Sequence, residues 1–95
     1  MADYTYPIDH HWSVEEMTKV INCWRGVERA YEANILAEEF LLLYQGFKEV
    51  VPSKAEEKQL AREFARVTGG YELYHVMKKA KRQGRGRISL DRPKH

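Results

Sequence analysis

The amino-acid sequence predicts an all-α fold: a compact bundle of three to four short helices with an extended N-terminal arm and a flexible basic C-terminal tail. Three observations lead there. Apolar side chains recur every three or four positions in four separate stretches. Each stretch lies between residues that start or stop helices. No run of strict apolar–polar alternation is long enough to suggest a sheet.

Residues 1–12 mix aromatic side chains with Pro7 and Asp9 and lack a helical period, so they read as an arm whose Tyr4, Tyr6, Ile8 and Trp12 lie against the helices. Ser13 and Glu16 have the spacing of a capping box, in which each side chain satisfies a free backbone N–H of the other's turn. A first helix starts there. Its Val14, Met17, Val20, Ile21, Trp24, Val27 and Tyr31 fall in one arc, and Asn34 is a suitable left-handed stop. A second helix is predicted over 36–51, with Leu36, Phe40, Leu43, Tyr44, Phe47, Val50 and Val51 on one face and Pro52 at its end. Ser53 and Glu56 then repeat the capping spacing, and a third helix carries the stripe Leu60, Phe64, Val67 until Gly69-Gly70 breaks it. A fourth is predicted over 71–82, with Leu73, Val76, Met77 and Ala80 inward. From Gln83 onward there is no apolar period, and two glycines and Pro93 favour a flexible tail. The division expected is thus a single helical domain over 1–82 and a tail over 83–95.

With 95 residues, a second domain has little room. Burial at this size removes roughly 60–65% of the unfolded surface from water, so large side chains must fill the core. Two Trp, six Tyr and three Phe meet that need. A single cysteine cannot form an intramolecular disulfide, and the first residues have neither the basic nor the apolar region of an export signal. No apolar run approaches the ~20 residues of a spanning helix. A cytoplasmic location and no membrane partner are expected.

Charge is distributed unevenly. Residues 1–70 hold 8 Lys and Arg against 12 Asp and Glu, whereas residues 71–95 hold 8 against 2. Such a basic C-terminal region is either a solvated end or a surface for an anion.

The segments Tyr6-Pro7-Ile8-Asp9, Trp12-Ser13-Val14-Glu15-Glu16, Val27-Glu28 and Ala30-Tyr31-Glu32 resemble those of a group of bacterial proteins, uncharacterised protein family 0223. The most specific stretch is Phe47-Lys48-Glu49-Val50-Val51-Pro52-Ser53-Lys54-Ala55-Glu56-Glu57-Lys58, and Gly70-Tyr71, Tyr74 and Lys79-Ala80-Lys81 complete the likeness over residues 4–82. Asn34 and Gly69 depart from the family's pattern, and the basic end after Arg82 lies outside it. The resemblance implies a compact helical bundle. It implies no activity and supplies no catalytic residues.

Chemistry-bearing residues are sparse. Glu72 and His75 have the Glu-x-x-His spacing of di-iron bundles, but a full site needs a second such pair and further carboxylates, and His75 points away from the predicted core. His10 and His11 have no spaced partners. Cys23 has nothing nearby in sequence to activate it and reads as an inert thiol at the edge of the core. No glycine-rich phosphate loop follows a strand. An enzyme is therefore not expected, and neither a cofactor nor a small-molecule substrate is indicated.

Three features remain as candidate binding or functional residues. Glu28 falls inside the apolar arc of the first helix, where a lone charge is costly. It is either paired with Arg25 or a cation of another helix, or it is a functional acid. Leu41 and Leu42 lie off the apolar face of the second helix and suit contact with a protein partner or a second copy. Tyr71, His75, Lys78, Lys79 and Arg82 are predicted to point outward together and to run into Arg85 and Arg87, a pattern that can contact phosphates and stack on a base. The bland alternative is a solvated helix C-terminus that favours cations. A helix-turn-helix reading of the last two helices is poor, because Gly70 and His75 stand where that motif places apolar residues. The expected role is a non-enzymatic protein-interaction module; the alternative is nucleic-acid or polyanion binding through the fourth helix and its tail.

Overall fold

A computed structural model describes residues 4–93. The described residues form α1 (Val14–Glu32), β1 (Ile35–Leu36), α2 (Ala37–Val50), α3 (Lys54–Thr68), α4 (Leu73–Gln83) and β2 (Arg87–Ile88). The all-α expectation holds, with one two-residue strand pair added. The first three residues of the arm, 1–3, and the last two of the predicted tail, 94–95, lie outside the described residues.

Helix boundaries follow the local chemistry. Ser13 and Glu16 form both halves of the capping box at α1. Ser53 accepts from the Glu56 N–H at the start of α3, and Gly69 closes that helix in the left-handed region at φ 79°. Asn34 is not a left-handed stop: α1 ends at Glu32 with Ala33 as its C-cap, and among the described residues only glycines have positive φ. The α4 helix begins at Leu73 rather than Tyr71.

Val20, Cys23, Trp24, Val27, Ile35, Phe40, Phe47, Phe64, Leu73, Val76 and Ala80 make the core, all essentially closed to water. Trp24 is its centre. Its ring stacks on Phe64 at 4.5 Å and meets Phe47 edge-on at 5.3 Å, while its indole N–H donates to the Pro7 carbonyl at 3.1 Å. That bond ties the arm to the core. Gly26 sits where α1 crosses α2: a β-carbon there would lie 3.0 Å from Leu43 Cδ1 and 3.2 Å from Phe40 Cδ1. Val14, assigned to the α1 apolar face, is instead 75% exposed, because the first turn of α1 projects past the bundle.

The described part of the segment after α4 is not a free tail. Arg87–Ile88 pairs antiparallel with Ile35–Leu36, with Ile35 opposite Ile88 and Leu36 opposite Arg87. Ile88 is 2% exposed and Leu90 packs on the core. The Leu90 N–H donates to Ala30 O at 2.8 Å, and Lys79 Nζ donates to Ser89 O at 2.7 Å. Burial of one large aliphatic side chain, backed by a short ladder, holds this stretch in place. Sequence periodicity cannot register so brief a pairing.

Candidate interaction surface

The outer face of α4 is built by a helix with cations and no carboxylate. Leu73, Val76 and Ala80 are buried inward, which turns His75, Lys78, Lys79 and Arg82 to solvent along a shallow concavity. Of the predicted stripe, these four are brought together. Tyr71 is not among them. It precedes α4, is only 7% exposed, stacks on Tyr31 at 4.6 Å and donates to the Glu32 carboxylate at 2.9 Å. Arg85 is exposed beyond the helix end, and Arg87 is occupied in β2, donating to Asn34 Oδ1 at 2.7 Å. The aromatic ring that accompanies the cations is Tyr74, 56% exposed, with Lys78 Nζ 5.8 Å from its centroid.

Tyr74 also borders a cleft between α3 and α4 that opens against α2. Its apolar wall is made by Ala61, Leu73 and Met77 with the Tyr44 ring, and its rim carries Lys54 and Lys58. Glu57 lies within it but is already engaged, accepting from Tyr44 Oη at 2.7 Å and from Lys48 Nζ at 2.6 Å. Lys81 Nζ stands 5.9 Å from the centroid of the Tyr44 ring. Among the described residues, Lys54, Lys58, Lys78 and Lys81 make no ion pair. The cleft's volume, about 270 Å³, is below the roughly 300–1,000 Å³ of small-molecule sites. It has room for one large side chain.

Sequence reasoning missed this cleft. Its signal was present in Tyr74, a large ring placed off the apolar arc of α4 and one turn before Lys78.

The other candidates resolve differently. Leu41 is partly buried against the core, and Leu42 alone is open, at 69% exposure. One isolated exposed leucine is ordinary for a soluble surface. Glu28 is half-buried, as its position in the arc demands, but its partners are neither Arg25 nor a cation of another helix. Its carboxylate accepts from the phenols of Tyr4 and Tyr6, the latter at 2.7 Å. Burial, and then the bond to Glu28, pushes Tyr6 up to about 12 and raises Tyr4 as well. Cys23 is fully buried, and burial raises its thiol far above the usual range. Among the described residues, no three His, Cys, Asp or Glu side chains converge as metal ligands, and no helix is long and apolar enough to cross a membrane.

Residues 3–89 match the family described as "Uncharacterised protein family (UPF0223)". The chain belongs to that family. It is 49% identical to a UPF0223 protein of Streptococcus sanguinis (strain SK36) over 88 residues, covering 93% of this chain and 95% of the relative. It is 51% identical to a UPF0223 protein of Streptococcus pneumoniae (strain CGSP14) over 87 residues, covering 92% and 94%. The match extends to residue 89 and so takes in β2, beyond the limit of 82 drawn from sequence motifs. These relatives are bacterial proteins of a family whose function is uncharacterised.

Proposed function

We propose that this protein is a cytosolic, non-enzymatic interaction module that takes a protein partner in the α3–α4 cleft. One observation carries the reading: Tyr74 stands more than half exposed beside an apolar wall, between lysines that have no carboxylate partner among the described residues. Tyrosine is enriched among the few residues that supply most of the energy at protein interfaces, because it presents large area at small entropic cost. Apolar groups left open to water at the same place favour burial by a partner. Three of the polar groups that could serve catalysis are engaged elsewhere: Glu28 accepts from two phenols, Glu57 accepts from Lys48 and Tyr44, and Cys23 is sealed in the core.

The test is capture from native lysate on immobilised full-length protein, with nuclease present throughout. The expected result is a protein retained by the wild type and lost with Tyr74→Ser. Equal retention by both would remove the cleft from consideration.

A second reading, binding of nucleic acid or another polyanion, is favoured by the concavity that collects His75, Lys78, Lys79 and Arg82 on a helix without acids. Fluorescence anisotropy with labelled RNA and DNA at several salt concentrations decides it. Steep salt dependence, weakened by Lys78→Glu and Arg82→Glu, supports it; no binding at low salt ends it.

A further inference from the structure

We infer that the cleft takes an acidic peptide segment with a single large apolar anchor side chain, one that inserts between Tyr74 and Met77 while flanking carboxylates meet the surrounding lysines. The inference rests on the interaction-module reading and specifies the partner's chemistry.

The size of the cleft sets the first half. About 270 Å³ bounded by Ala61, Leu73, Met77 and two tyrosine rings matches one inserted aromatic or branched aliphatic side chain, not a helix face or a cofactor. Leu73 is 1% exposed and fixed in α4, so the wall is preformed, and little ordering is needed before binding.

Charge sets the second half. Lys54 and Lys58 lie on the α3 rim, with Lys78 and Lys81 beside the two tyrosine rings on the α4 side. The acid inside the cleft, Glu57, is neutralised by Lys48, whose side chain and that of Glu57 are 27% and 16% exposed. Glu72 lies on the neighbouring flank with Lys58 and Arg62, which leaves the surroundings cationic. A basic or neutral anchor peptide would forgo this attraction, whereas Asp and Glu on either side of the anchor would gain it and be steered toward the cleft. A nucleic acid would satisfy the lysines but leave the narrow apolar wall poorly filled.

The experiment selects phage-displayed short random peptides on the immobilised full-length protein. The expected result is enrichment of peptides with one Trp, Phe or Leu flanked by several Asp or Glu. Affinity of a selected peptide should fall on the order of tenfold or more on replacing its anchor with Ser, and likewise with Tyr74→Ser. The double variant Lys54→Glu, Lys58→Glu should weaken it further at low salt than at high salt. Circular dichroism establishes that these surface variants remain folded. Enrichment of peptides without acidic residues, or equal binding to wild type and Tyr74→Ser, overturns the inference. Absence of enrichment, combined with a lysate partner that still depends on Tyr74, overturns the peptide chemistry alone; loss of both overturns the interaction-module reading as well.

Discussion

The rings of Tyr31 and Tyr71 stack face to face, 4.6 Å apart with 2° between their planes. The Tyr31 hydroxyl accepts from the Glu72 N–H at 3.1 Å, and the Tyr71 hydroxyl donates to Glu32 at 2.9 Å. This pair ties the end of α1 to the residues that lead into α4, beside the direct contact of the two helices. We predict that Tyr71→Ala lowers stability by about 3 kcal/mol, combining lost burial with lost ring pairing. Tyr71→Phe, which keeps the ring, should cost about 1 kcal/mol. Urea denaturation distinguishes the two; similar values for both would mean that the stack contributes little.

Ile88 sits opposite Ile35 and is buried almost completely. We predict a loss of about 2–4 kcal/mol for Ile88→Ala. Arg87→Ala, which removes only an exposed bond to Asn34, should change stability by less than about 1 kcal/mol. Hydrogen exchange adds a direct check. The amides of Leu90 and Ala37, which donate to Ala30 and Gly86, should be protected in the wild type and exchange faster in Ile88→Ala. An unprotected Leu90 amide in the wild type would restore the picture of a flexible tail.

What was readable in the sequence was local. The Ser13–Glu16 and Ser53–Glu56 spacings, Gly69 after α3, and the inward faces of α4 and, apart from Leu36, which lies exposed in β1, of α2 each depend on residues within one or two turns, so periodicity locates them. The failures involve distant partners. Helical periodicity carried back to Tyr71 points its ring outward, but α4 starts at Leu73, and before that helical angles no longer describe side-chain direction. Ile88 is defined by Ile35, more than fifty residues earlier, and Glu28 by an arm with no periodicity of its own. Lys79 is exposed within the outward stripe, and its ammonium also donates to the Ser89 carbonyl, a contact that helical angles do not reveal.

Alkaline conditions should expose the buried acids. Burial raises Cys23, and burial together with carboxylate contacts raises Tyr4, Tyr44 and Tyr6, the last to about 12. Each group is neutral when protonated and keeps its proton to higher pH in the folded chain than in the unfolded chain. The unfolded chain therefore releases protons first, beginning near pH 8.5 for the thiol and near pH 10 for the phenols. Stability is fully retained below these values and declines as pH rises through them. We predict a falling urea midpoint from about pH 8.5 upward. Cys23→Ala should delay the onset toward pH 10, and Cys23 should react with thiol reagents only under unfolding conditions. A midpoint flat to pH 11 would contradict the prediction.

Glu28 bears most directly on how the arm is held. Its carboxylate accepts from both Tyr4 and Tyr6, while the Tyr6 ring also stacks near Phe64 at 6.3 Å and Pro7 accepts from Trp24. Two kinds of interaction therefore act on one segment, and they respond differently to substitution. Glu28→Gln keeps the shape but removes the negative charge, weakening bonds that charge makes about twice as strong as neutral ones. Tyr6→Phe removes one donor and keeps the ring. If the carboxylate organises the arm, the double variant should lose less stability than the sum of the singles, with a coupling of roughly 1 kcal/mol. The arm amides should also exchange faster in either single variant, while the core amides around Trp24 change little. Strict additivity, with unchanged arm exchange, would mean that aromatic packing and the Trp24–Pro7 bond hold the arm without help from Glu28.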